Sequence, residues 1–288
     1  MEFFRDLLAE GNSFLLFPFI AGILGSIAFG VVGSYVVVRR ISYIAGAVAH
    51  SVLGGIGASI YLSHHYGWKW LTPELGALLA ALISVCLINW FERFSKQRVD
   101  SLIGGVWVTG MSSGILFIHS TPGYNDLSGY LFGDILFISQ NDLWLLGSLN
   151  VLIVAVCWLF YHKMLAICFD EEFARLRGIN TSFYNFLLLL VTAITVVMMI
   201  NIVGIVMVIA LLTIPASTAS MFSRHLWQMM ILSSIFCLTS VVTGFAISHS
   251  LDKPTGPVIV MVCVFIFSLA TAAKALYKKF QKNVKGLK

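Results

Sequence analysis

Apolar runs of 17–25 residues follow one another along almost the whole chain, and this repetition limits its folds more than any motif does. Each run is long enough to cross roughly 30 Å of hydrocarbon at about 1.5 Å per residue. Hydrocarbon offers a backbone no partners, so each run must satisfy its own hydrogen bonds as a helix. The runs cover 15–38, 43–62, 75–91, 101–119, 143–161, 183–200, 202–222, 226–248 and 257–275. The sixth and seventh are nearly fused, turning around Asn201–Gly204. The chain therefore reads as an all-α polytopic membrane protein of eight or nine spans. Residues 1–288 form a single transmembrane domain: an outer amphipathic segment 1–14, a helix bundle 15–275 and a basic tail 276–288.

Charged residues make up only 11% of the chain, against about 25% in soluble domains. That excludes a soluble enzyme, a secreted disulfide scaffold and a disordered chain. The net charge of +5 comes mainly from Lys and Arg flanking the spans, not from a basic groove, so no nucleic-acid partner is expected. The five cysteines form no C-x-x-C pair, and four of them lie inside apolar runs. Inert thiols, with Cys168 in a short loop, are the expectation. Glu2, Asp6 and Glu10 outweigh Arg5 at the N-terminus, unlike the basic start of a signal peptide, so this segment is expected to be retained.

The Lys and Arg bias of the short loops sets the orientation. With the N-terminus outside and the C-terminus cytoplasmic, 15 of the 18 basic residues lie on the inner side, and only Arg5, Lys69 and Lys253 remain outside. The outer side then holds eight of the 13 carboxylates, a field that concentrates cations.

The spans carry little catalytic equipment. No G-x-x-x-x-G-K-[ST] occurs, so any ATP-driven work needs an engine on another chain. No H-E-x-x-H occurs, and no Asp or Glu lies in a span interior. Gly57-Ala58-Ser59 followed by His64 hints at an intramembrane serine protease, but the second glycine of G-x-S-x-G is missing. An intramembrane enzyme is the different-class rival, and it lacks a paired nucleophile and base.

His50 is the one basic side chain deep within a span, about 10 Å from the inner end. Intramembrane ionisable residues are functional candidates by default. Helical spacing sets it on a stripe with Ser42, Gly46, Gly54 and Gly57. It faces either a substrate path or a hydrogen-bond partner across the bundle. The inner loop Cys168–Gly178 places Asp170, Glu171 and Glu172 ahead of Arg175 and Arg177. That order suits a short helix with acids in its first turn and bases in its last, ended by Gly178. Such a helix is either a docking element or a solvated connector. The outer segment Ser120–Asn141 is too long and apolar for a simple turn, and a surface or re-entrant helix is expected there. His119, Asp126, Asp134, His249 and Asp252 could line an outer entrance.

Several blocks then carry a family resemblance. V-G-S-Y-V-V-V-R-R-I-S-Y at 32–43 and A-V-A-H-S-V-L-G-G-I-G at 47–57 resemble the first inner turn and second span of zinc/manganese/iron ABC-importer permeases. Y-L-F-G-D at 130–134, D-E-E-F-A-R-L-R-G-I at 170–179, T-I-P-A-S-T-A at 213–219 and the D-x-P-x-G-P pattern at 252–257 resemble further blocks, all in order. The resemblance implies a permease of the bacterial cytoplasmic membrane with no resident cofactor and a divalent metal ion as substrate. It implies a second permease chain, two cytoplasmic ATPases that bind ATP, and an extracytoplasmic metal-binding protein. The family's ATPase-docking block maps to Asp170, Glu171, Glu172, Ala174, Arg175 and Gly178. Family members commonly carry Asp one turn before the second-span histidine, and this chain has Gly46 there. The metal (zinc, manganese or iron) and the choice between homodimer and heterodimer stay open. A permease for a metal chelate or vitamin is the same-class alternative.

Overall fold

In a computed structural model, residues 13–94, 99–123, 127–133 and 138–285 are described. The only regular structure among them is helical: α1 (Ser13–Val38), α2 (Ser42–Tyr66), α3 (Pro73–Phe94), α4 (Val99–His119), α5 (Leu127–Phe132), α6 (Gln140–Leu159), α7 (Tyr161–Phe169), α8 (Glu171–Leu176), α9 (Thr181–Ser220), α10 (Leu226–Leu251) and α11 (Thr255–Lys285). Nine stretches of the described residues are long and apolar enough to cross a membrane. The short helix α5 occupies part of the outer segment expected to be helical and packs on α9. Segment 1–12 and the residues Asp126 and Asp134 lie outside the described residues.

Helix α9 supplies two of the nine stretches, Thr181–Ile200 and Val203–Ser220. Gly204, at the start of the second, has φ 75° and ψ 163°, a conformation essentially reserved for glycine. The near-fusion expected around Asn201–Gly204 is therefore one helix broken at a single glycine, and each of its two parts is long and apolar enough to cross a membrane.

Polar punctuation sets other boundaries. Helix α6 starts with a capping box: the Asp142 N–H donates to Ser139 Oγ, and the Ser139 N–H donates to Asp142 Oδ2. Helix α2 runs past the expected end through His64 and His65, and stops at Gly67 with φ 68°. Within the basic tail, helix α11 continues to Lys285.

Helices α1, α2 and α9 form the centre, and α10 packs along α1. Small residues bring them together. A Cβ at Gly33 would collide with the carbonyl oxygen of Leu212 in α9, and one at Gly55 with that of Gly76 in α3. Such approach suits lipid, where burying apolar surface gives helices no drive to associate. Outward faces stay apolar, with Val108, Leu116, Val151, Trp158 and Phe265 all exposed. One apolar-run cysteine departs from the expectation of burial: Cys86 is exposed on this apolar surface, while Cys157, Cys237 and Cys263 are buried and all five thiols are free.

The fold keeps the two sets of loops apart. Arg39 reaches the α7–α8 segment, and Lys274 Nζ donates to the Met221 carbonyl, joining segments rich in Lys and Arg. At the other ends of the spans, residues 59–73 and 121–123 share one cavity.

Candidate functional site

His50 lies eight residues into α2, about 12 Å from its start. The stripe it shares faces α4. A Cβ at Gly54 would stand 2.8 Å from the Gly110 carbonyl oxygen, and one at Gly57 would crowd Gly114. This tight seam turns the imidazole toward Trp107 on α4. The two rings stack with centroids 4.5 Å apart and planes inclined by 15°. Tyr43, at the start of α2, packs against the same indole at 5.6 Å. The indole also covers Gly46: a Cβ there would meet Trp107 at 3.6 and 3.9 Å, ordinary contact distances. Residue 46 therefore has room for a small side chain under the indole but contributes no ligand.

The His50 Nδ1 atom is buried and has no hydrogen-bond partner among the described residues. At that nitrogen, the cross-bundle hydrogen bond of a structural histidine is not made. An imidazole nitrogen with no protein partner has a lone pair or an N–H to offer a visitor. Ser84 on α3 donates to Ser51 at 2.7 Å, tying α2 to α3 beside His50. Trp107 escaped the sequence reading because no local pattern pairs α2 with α4.

Beside the α1–α2 turn, the expected short helix is present as α8. Asp170 caps it, accepting from the Phe173 N–H at 2.9 Å. Gly178 closes it with φ 77°, and the Ile179 N–H returns to the Ala174 carbonyl at 3.1 Å. Glu172, Arg175, Leu176 and Arg177 are exposed. Two residues expected to dock a partner behave differently. Ala174 is fully buried, packed with Ile167 and Tyr184, so it presses the helix onto its own chain. Glu171 turns inward and pairs with Arg39. Cys168, expected in a loop, belongs to α7, and burial pushes its thiol up to about 11 while nearby Arg39 opposes the shift.

Three of the five outer candidates lie among the described residues. His119 ends α4, His249 and Asp252 end α10, and all three are exposed. The described residues contain no group of three His, Cys, Asp or Glu side chains that could hold a metal. Instead, a cavity of about 640 Å³ at this end is lined by Ser59, Ser63, His64, Lys69, Thr72 and Thr121, among others. Half-buried His50, with its Nδ1 atom buried, is the candidate metal contact within a span, and it belongs to no group of three such ligands among the described residues.

Comparison with known proteins gives a consistent picture. The model of the ABC 3 transport family matches residues 12–274. A probable metal transport system membrane protein of Chlamydia muridarum is 36% identical over 263 residues, covering 90% of this chain and 89% of the relative. The high-affinity zinc uptake system membrane protein ZnuB of Buchnera aphidicola is 30% identical over 266 residues, covering 91% of this chain and 99% of the relative. The solved structure of PsaBC from Streptococcus pneumoniae in complex with Fab superposes with a TM-score of 0.82 at 29% identity, covering 93% of this chain and 94% of that one.

Proposed function

This chain belongs to the ABC 3 transport family, and from that premise we propose that it is the permease subunit of an ATP-driven importer of divalent metal ions in a bacterial cytoplasmic membrane. The likeness of nine-tenths of the chain to a zinc-uptake membrane protein carries the reading. The Lys and Arg distribution supports an outer N-terminus and places α8 and the α1–α2 turn in the cytoplasm. The chain has no phosphate-binding loop, so ATP is hydrolysed by partner subunits that dock on α8. An extracytoplasmic binding protein delivers the ion to the acidic outer face.

His50 is the ion's contact within the membrane. A single imidazole holds a cation weakly, which suits a path that must release its cargo. The full transporter contains a second permease chain. If that chain is a copy, two imidazoles face one path, a set that suits zinc or iron better than manganese. If it is a different chain, it can supply the carboxylate that Gly46 does not. The test is uptake of zinc, manganese and iron by proteoliposomes holding the chain with its ATPase, its binding protein and any second permease chain. ATP-dependent uptake that falls at least tenfold in His50→Ala supports the reading. Wild-type uptake of no ion by an assembled, ATP-hydrolysing complex overturns it and favours a metal chelate or vitamin.

A further inference from the structure

Arg39 stands just beyond α1 and makes three hydrogen bonds that join segments far apart in sequence. Its Nη1 donates to the Ile167 carbonyl at 3.0 Å, near the end of α7. Its Nη2 donates to Glu171 Oε2 on α8 and to Asn185 Oδ1 on α9, the latter at 3.0 Å. The Asn185 side chain closes the triangle by donating to Glu171 Oε1 at 3.0 Å. Both carboxylate oxygens of Glu171 are thus taken up within the chain. A planar guanidinium offers several donors in one rigid fork, which is the geometry that a three-way junction needs.

The location of this junction gives it a use. Three residues after Arg39 the chain enters α2, the helix that carries His50. Asn185 lies in the first turns of α9, which packs on α1, α2 and α3 and breaks at Gly204. Glu171 opens α8, whose other side is pinned by buried Ala174. A cavity of about 230 Å³ lies beside the junction, lined by Arg39, Ile41, Ile44, Asn185, Leu188 and Leu189. The first turn of α2 therefore has room to shift against α9.

We propose that the Arg39–Glu171–Asn185 junction is the link through which movement of α8 reaches the α1–α2 turn and α9, so that Arg39 positions the His50 helix in step with the ATPases. This rests on the transport reading and on α8 as the docking element. Pushing α8 pulls on the guanidinium, and the guanidinium moves the start of the His50 helix. Without it, α8 moves alone and ATP is spent with little ion transfer.

The experiment uses the assembled transporter in proteoliposomes and measures three quantities: ATPase co-purification, ATPase rate with binding protein, and Zn²⁺ or Mn²⁺ moved per ATP. The variants are Arg39→Ala, Arg39→Lys, Asn185→Ala and the swap Arg39→Glu with Glu171→Arg. Hydrogen bonds to charged groups are worth roughly 1.5–3 kcal/mol, a factor of roughly 10–150. Ions moved per ATP should therefore fall by that factor in Arg39→Ala, and by less in Asn185→Ala, while ATPase co-purification and rate persist. The swap should recover most of the loss. Unchanged ions per ATP in Arg39→Ala would overturn the link. So would loss of ATPase co-purification in both Arg39→Ala and Asn185→Ala, which would make the junction a static brace for the docking surface. A wild-type chain that binds no ATPase would instead refute the transport reading, a result visible before any variant is made.

Discussion

The stack of Trp107 on His50 makes a quantitative test of how the membrane site works. The rings lie 4.5 Å apart and nearly parallel, so the indole fixes the plane of the imidazole. Aromatic pairs of this kind contribute about 0.5–1.5 kcal/mol beyond the area they bury. If that energy preorganises His50 for the ion, its loss should lower zinc-uptake efficiency by roughly 2- to 13-fold. Trp107→Leu removes the ring while keeping an apolar contact for Gly46. It also leaves a void between α2 and α4, so the single variant confounds packing with orientation. A double-mutant cycle separates them. The four chains are wild type, Trp107→Leu, His50→Ala and the double variant, with His50→Gln replacing His50→Ala if the alanine chain falls to background. In the wild-type background, Trp107→Leu should cost the full factor. In the background without His50, it should change efficiency by no more than roughly 2-fold, the ordinary scatter of additive effects. Equal losses in both backgrounds would refute preorganisation and leave Trp107 as a packing residue between α2 and α4.

Four further outcomes follow from the same structure. Gly55→Ala should destabilise the detergent-solubilised chain by about 1–3 kcal/mol, because its Cβ collides with the Gly76 carbonyl and stands 2.6 Å from the Ala80 Cβ. Gly105→Ala meets nothing within 4 Å and should leave thermal unfolding unchanged or raise its midpoint. Gly46→Asp adds a carboxylate one turn from His50 where a Cβ is tolerated, and should raise the manganese-to-zinc uptake ratio roughly tenfold, the equivalent of about 1.4 kcal/mol; an unchanged ratio would mean that residue 46 does not reach the ion. Glu172→Lys with Arg175→Glu reverses exposed charges on α8 and should abolish ATPase co-purification, whereas intact co-purification would remove that face from docking.

What could be read in the sequence, and what could not, follows from the range of each interaction. Span existence depends on runs of apolar residues, a local property, and all nine runs have a helical counterpart. The break in α9 was legible because its cause is one residue, Gly204, at a conformation few others adopt. The α8 helix was legible because its acids, bases and closing glycine lie within nine residues. Helix ends were less so. Helix α2 ends at Tyr66, four residues beyond the last residue expected, where Gly67 takes the left-handed conformation.

The candidate site failed to appear where partners are distant. Arg39 meets Glu171 across 132 positions and Asn185 across 146, and nothing near Arg39 distinguishes it from Arg40, an ordinary span-flanking charge. The direction of Glu171 was lost for the same reason. As one of three acids in a polar loop it reads as solvated, yet its first-turn position points it at the chain's own arginine, while its neighbour Glu172 stays exposed. Ala174 reads as one more residue of a surface helix, but on so short a helix the smallest side chain marks the face that lies flat on the protein. The same logic holds in the membrane: Gly46 reads as a missing ligand, and the space it leaves is overlaid by an aromatic ring from another helix. Departures from a pattern therefore become interpretable only when the residue filling the vacated space is known, and at His50 that residue is Trp107.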